Sequence, residues 1–190
     1  MGNIKLKRLV GNFVPFNAQE EEDKRTIINQ LNVFDDVLTR KNVVCHFTSS
    51  TFIVNKEKTK ALMVHHNIFN SWAFTGGHND GCDDCLVVAK KEAKEETDIN
   101  NLEYISDDIF TLEIIPIKAH YRRGEYVSSH IHFNVTFLAK ADENEKIHYC
   151  EGENSAVKWI DLDKILSNIS EKDMIPIYQK ILAKVKETKI

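Results

Sequence analysis

Four cysteines in 190 residues, with no secretory signal ahead of them, point to reduced thiols in a cytoplasmic protein rather than to a disulfide scaffold. The opening MGNIKLKRLVGNFVPFN lacks the apolar core of a signal peptide. Leu6 also stands where N-myristoylation wants Ser or Thr. No apolar run approaches the length of a membrane span, so no membrane partner is expected. A basic surplus is missing too: 25 Lys and Arg against 29 Asp and Glu leave a net charge of −4. That balance argues against general nucleic-acid binding, which shows as a basic face or stripe. Internal repeats and low-complexity tracts are absent, so neither a solenoid nor a linker-rich chain is expected.

What is present suits one globular unit with a helical addition. Hydrophobic residues make up 42% and charged residues 28%, enough for a sizeable core. Residues 17–31 carry a helix pattern, with Asn17 as N-cap, Glu20 completing a capping box, and Ile27, Ile28 and Leu31 as the apolar stripe. Residues 33–38 read as its continuation. Together they make 1–40 an N-terminal helical extension packing on the main domain, 41–190; substrate gating or dimerisation is its alternative role. Residues 43–54, VVCHFTSSTFIV, read as a strand, and after the NKEK turn KALMVHH is its hairpin partner.

A short strand over 72–75 ends on Gly76-Gly77, and a helix follows over 83–97. Residues 110–120 and 126–139 are two strands joined by the charged turn RRGE. In the second, His130, His132, Asn134 and Thr136 share one face and Ile131, Phe133, Val135 and Phe137 the other. A strand over 156–160 precedes a small helix capped by Asp161, and an amphipathic helix begins near Pro176. The order predicts an α/β fold: a three-layered α/β/α sandwich in which helices cover both faces of a mixed sheet.

The stretch WAFTGGHNDGCDDCLVVAKKEAKEETDI, 72–99, organises the rest. On a helical wheel Glu95 lies about 60° to one side of Glu92 and Glu96 about 40° to the other. Leu86, Ala89 and Ala93 form an adjacent apolar stripe, while Lys90 and Lys94 point to water. Glu92 and Glu96 repel at i,i+4, and Lys91 before Glu95 is the less favourable order for an ion pair. A helix designed only for solubility would interleave its signs. Clustered carboxylates are what a hard divalent cation needs.

The spacing resembles the Nudix signature: Gly, five residues, Glu, seven residues, Arg-Glu, aliphatic, any, Glu-Glu, any, Gly, aliphatic. The frame falls on Gly77, Asp83, Lys91-Glu92, Ala93, Glu95-Glu96, Asp98 and Ile99. Asp83, Lys91 and Asp98 replace Glu, Arg and Gly. The GGH opening, HFTSSTFIV, HIHFN and VKWIDLDKI extend the likeness over 43–168. The resemblance implies a MutT-like hydrolase that uses Mg²⁺ or Mn²⁺ to cleave a nucleoside diphosphate linked to another group, or a related organic pyrophosphate. It implies a metal site of Gly76, Glu92, Glu95 and Glu96. Glu92 and Glu96 are then catalytic, with Lys91 in the place of the orienting arginine. Lysine keeps the charge but loses the bidentate fork. Glu153, six residues before Trp159, is a further candidate metal ligand, with a solvated loop as the other reading.

His78 follows the glycines in the phosphate-facing loop by analogy with the family. His130 and His132 on one strand face, and Arg122 at a hairpin tip beside Arg123, are candidate substrate contacts; the histidines are also candidate metal ligands. His46, His65, His66 and His120 have no distinguishing spacing. Cys82 and Cys85 form a lone CxxC, read as incidental thiols. Two other functions stay open: a nucleotide-binding sensor on the same fold, and an enzyme like isopentenyl diphosphate isomerase, although no cysteine is placed as that family has it.

Overall fold

The computed structural model describes residues 3–122, 124–152 and 154–189. Two helices come first, α1 (Ile4–Asn12) and α2 (Ala18–Val33). Asn17 caps α2 as expected, its Oδ1 accepting from Glu20 N at 3.0 Å while the Glu20 carboxylate accepts from Phe16 N at 2.8 Å. The expected continuation over 33–38 does not form. Phe34 leaves the helical region at φ −112°, and Asn3 Nδ2 donates to its carbonyl at 2.8 Å. Val37 then gives its carbonyl to Phe47 N at 2.7 Å. Tertiary partners stop this helix.

The sheet is built on β1 (Cys45–Asn55) and β9 (His130–Ala141), which run parallel in register from Cys45 opposite Ile131 to Asn55 opposite Ala141. The edges of this pair are shared. β2 (Lys60–His66) pairs with β1 at Ile53 and Val54, and β4 (Thr75–His78) pairs with β1 from Thr48 to Thr51. On β9, β6 (Thr111–Ile117) takes the first half and β5 (Glu103–Tyr104) the second. β3 (Ser71–Ala73) and β10 (Asn154–Asp161) complete the sheet against β2. Gly76 and Gly77 thus lie inside β4 rather than ending a strand. Arg122 and Glu125 pair in a small separate hairpin of β7 (His120–Arg122) and β8 (Glu125–Val127), which breaks the strand predicted over 126–139.

Alternation decides what each face of β1 and β9 meets. Phe47, Phe133, Val135 and Phe137 pack with Leu6, Val10, Ile27 and Leu31 of α1 and α2, and with Cys85 and Ala89 of α3 (Cys85–Thr97). On the opposite face Phe52, Val54 and Leu138 pack under α4 (Ile165–Asn168) and α5 (Ile175–Glu187), through Ile165, Tyr178, Ile181 and Val185. Helices therefore cover both faces of a mixed sheet, and α1 joins α2 at the N-terminus. No helix among the described residues is long and apolar enough to cross a membrane.

A buried charge cluster ties α5 to α2 and β6. Lys180 Nζ lies 3.1 Å from Glu20 Oε1 and 2.8 Å from Glu113 Oε1, with all three side chains at most 3% exposed. Glu20 also accepts from Leu112 N at 3.3 Å, so a residue read only as a helix cap also holds an edge strand.

Candidate active site

Helix α3 starts at Asp84, whose carboxylate accepts from Val87 N at 3.1 Å, and stops at Asp98, left-handed at φ 57°. That conformation favours glycine, and Asp is among the few residues that tolerate it. Lys94 pairs with the Asp98 carboxylate and donates to its carbonyl at 2.9 Å, which holds the turn. The departure from glycine at 98 thus leaves the geometry of the helix end in place.

The three glutamates are not equivalent. Glu96 is buried at 4% exposure: its Oε2 accepts from Gly76 N at 2.8 Å and its Oε1 from Asn154 Nδ2 at 3.2 Å. Glu92 is half-buried against Gly77, where a Cβ would overlap its carboxylate and lie 3.0 Å from its Cγ. Glu95 is exposed, with 54% of its side chain in contact with solvent. Lys91 joins two of them, donating to Glu92 Oε1 at 3.2 Å and Glu95 Oε2 at 2.8 Å. The unfavourable order of Lys91 and Glu95 therefore does not prevent their pairing. The hydrogen bond to Glu95 raises the ammonium to about 12, so it stays charged throughout the physiological range. Asp83 meets Lys5 of α1 at 3.0 Å instead of a group on the glutamate arc. Glu153 and Arg123 lie outside the described residues.

Gly76 and Gly77 face opposite ways. A Cβ on Gly76 would lie 2.9 Å from Ser50 Cα, inside the contact limit. On this side of the sheet Asn134 Oδ1 accepts from Thr48 Oγ1 at 2.9 Å and Ser50 Oγ at 2.8 Å, and Asn134 Nδ2 donates to Glu113 at 3.1 Å. A polar strip thus runs from the Lys180 cluster across β6, β9 and β1 to β4.

At the far end of the strip four imidazoles meet. His46 lies opposite His132 in the parallel register, and its ring centroid is 4.9 Å from those of His132 and His130 and 5.1 Å from that of His78. The structure brings together the sequence candidates His78, His130 and His132, and adds His46. Only the register of two strands far apart in the chain places that residue. Arg122 of β7 is near enough for its charge to act on His78. Burial, with the Arg40 charge next, pushes His78 down to about 3; burial and then His78 push His132 down to about 2. Burial lowers His46 as well.

These shifts carry a pH prediction. The folded values of His78 and His132 lie below the ordinary value of about 6.5, so below that pH the unfolded chain binds more protons. Their contribution to stability is intact above pH 6.5 and is lost as the pH falls toward the folded values. Urea midpoints should therefore fall between pH 7 and pH 5, and His132→Gln should flatten that fall. An unchanged slope in the variant contradicts the assignment.

None of the four cysteines, all described, is in a disulfide. Burial raises the Cys85 thiol, which also accepts from Asn79 Nδ2 at 3.4 Å; this is a packed thiol rather than a reactive one. Asn154, which holds Glu96, went unnoticed in the sequence, where its only signal is its place beside Glu153.

Comparison with known proteins places this geometry. Several solved structures share the fold. A C. elegans Ap4A hydrolase in a binary complex superposes with a TM-score of 0.55 at 18% identity, covering 75% of this chain and 98% of its own. A MutT protein from Methanosarcina mazei gives 0.57 at 15% identity, covering 76% and 97%. The E. coli dihydroneopterin triphosphate pyrophosphohydrolase gives 0.53 at 17% identity, covering 72% and 94%. No curated protein matches the sequence. The NUDIX domain family model matches residues 46–185, which span β1, the glycine pair, the glutamate helix and nearly all of α5. The chain belongs to the Nudix family of hydrolases, which generally work with divalent metal ions.

Proposed function

We propose that the protein is a pyrophosphohydrolase dependent on Mg²⁺ or Mn²⁺, acting on a nucleoside diphosphate linked to another group or on a related small organic pyrophosphate. The observation that carries this reading is the pair of carboxylates fixed by the glycines of β4: Glu96 held by Gly76 N, and Glu92 nested where Gly77 lacks a Cβ. The donor set fits a hard cation, being all oxygen with two carboxylates already sharing one ammonium.

Glu92, Glu95, Glu96 and the Gly76 carbonyl would hold the ion, with Glu153 as a further ligand. An ion bound there would neutralise phosphate oxygens and make water easier to deprotonate. Glu92 would take a proton from the attacking water; its half-buried position next to Gly77 supports that role. Lys91 orients Glu92 and Glu95 through its two hydrogen bonds. His78, His130, His132 and Arg122 would contact the substrate. Residues 1–40 are a helical extension that completes the hydrolase domain 41–190, and no membrane or nucleic-acid partner enters the reading.

The assay is phosphate release from nucleoside triphosphates, nucleotide sugars, dinucleoside polyphosphates and ADP-ribose, with Mg²⁺ and with Mn²⁺. Turnover of at least one class with metal and none with chelator supports the proposal. A second reading, a nucleotide-binding sensor, is favoured by Lys91 already occupying the space between Glu92 and Glu95. Binding of nucleotides without phosphate release across the panel would select it.

The glycine pair supplies a separate prediction. In Gly77→Ala the new methyl meets the flexible end of Glu92, so the carboxylate moves and the fold tolerates it. The melting temperature should shift by no more than a few degrees, while kcat/KM falls by about tenfold or more as the ligand is displaced. In Gly76→Ala the methyl meets the Ser50 backbone, which cannot swing aside. That variant should lose stability first. Calorimetry beside initial rates separates the two; equal effects on stability would contradict the assignment.

A further inference from the structure

The imidazoles at the end of the polar strip have a geometry that substrate contact alone does not explain. His130 Nε2 and His132 Nε2 approach to 3.1 Å. Two nitrogens about 2.0–2.1 Å from one tetrahedral zinc stand about 3.3 Å apart. His46 Nε2 is buried, in a residue only 4% exposed, and has no hydrogen-bond partner among the described residues. One ligand atom from each of His46, His130 and His132 falls within 4.8 Å of the others. A buried nitrogen without a partner costs free energy unless something fills the site.

The outer nitrogens are already committed. His46 Nδ1 lies 3.0 Å from the Asn42 carbonyl, and His130 Nδ1 lies 2.8 Å from the Ser128 carbonyl. A ring nitrogen beside a carbonyl oxygen carries the proton, so in both rings Nε2 keeps its lone pair and points inward; that of His130 accepts from His132 Nε2, whose proton a bound cation would displace. Anchoring of the far ring nitrogen by a backbone carbonyl is the usual support of a metal-bound histidine. Neutral imidazoles suit zinc, copper, nickel or iron, whereas magnesium prefers oxygen.

We propose that His46, His130 and His132 form a three-imidazole site for a borderline-soft divalent cation such as Zn²⁺, separate from the glutamate site, with His78 beside its open fourth position. The ring of His78 lies 4.9 Å from that of His132, on the strand that also carries Gly76 and Gly77. The two sites thus border the same short strand from different elements, one all nitrogen and one all oxygen. This assignment stands whether or not the glutamates catalyse hydrolysis.

The test uses the full chain, stripped with chelator and titrated with ZnCl₂ in a millimolar excess of Mg²⁺ to occupy the carboxylates. Calorimetry should report one Zn²⁺ per chain, and Co²⁺ in its place should give the visible bands of a low-coordinate nitrogen site. His132→Ala should weaken Zn²⁺ by about 100-fold or more. His130→Ala, altered at the half-buried start of β9, should do the same and provides the result if His132→Ala does not fold. Glu96→Gln and Cys82→Ser should leave the Zn²⁺ affinity unchanged. Unchanged affinity in His130→Ala would overturn the proposal, as would loss of binding in Glu96→Gln or Cys82→Ser. Binding of inorganic phosphate in place of Zn²⁺, lost on replacing Arg122, would overturn it as well.

Discussion

Replacing Glu96 by glutamine should lower kcat by about 10²–10³-fold, the scale seen when one preorganised group is removed from an active site. The loss should appear in kcat more than in KM, because nothing assigns Glu96 a direct contact with the substrate. The same change carries a structural cost. Each carboxylate oxygen accepts from a different donor, Gly76 N and Asn154 Nδ2. A glutamine must turn its NH₂ toward one of them, leaving donor against donor at a cost of about 1–3 kcal/mol. Rates should therefore be measured well below the melting temperature, with circular dichroism confirming the fold. Wild-type turnover in a folded Glu96→Gln protein would end the assignment of this helix to metal-dependent hydrolysis.

Lys180→Met should produce the largest loss of stability. Its ammonium is the cation between Glu20 and Glu113, both with fully buried side chains. Removing it leaves buried carboxylate charge without its main partner, which costs about 3–5 kcal/mol. For a chain of this size that corresponds to a fall of about 6–20 °C in melting temperature. Lys184, 3.6 Å from Glu20, compensates in part. Glu113 feels the Lys184 charge only at longer range, so Glu113→Gln in the Lys180→Met background should recover part of the loss. A drop below about 1 kcal/mol in the single variant would show the cluster to be indifferent to its cation. Activity should follow stability here, because Glu113 holds Asn134, and Asn134 holds Ser50 beside Gly76.

The parts of the molecule legible in the sequence are those set by local periodicity. The Asn17 cap, the glutamate helix, the hairpin of β1 and β2, and the two faces of β9 all follow from spacings of a few residues. The glutamate arc was visible because α3 brings Glu92, Glu95 and Glu96 together without help from the rest of the chain. Its gradient of burial was not, since Glu96 is sunk by Gly76 and Asn154, which lie 20 and 58 residues away. Helix α1 went unread although Leu6 and Val10 are both fully buried at a spacing of four; its interleaved basic residues and Gly11 mask the stripe. The run 33–38 failed for the opposite reason, an acceptable local pattern overruled by distant hydrogen bonds. His46 had no local signal at all.

The strand β4 is four residues long, and it separates two chemistries by parity alone. Gly77 turns toward Glu92, while Gly76 and His78 turn toward Ser50 and the imidazoles. A slip of one residue against β1 would exchange these directions, carrying an imidazole toward the carboxylates and closing the recess that Gly77 leaves for Glu92. An insertion in the exposed turn at 80–81 would disturb the Gly81 bond to the Leu38 carbonyl and the Asp80–Arg40 ion pair but leave the register of β4 against β1 in place. The same insertion between 75 and 78 would disrupt both sites together, so this is where the chain can least absorb a change of length.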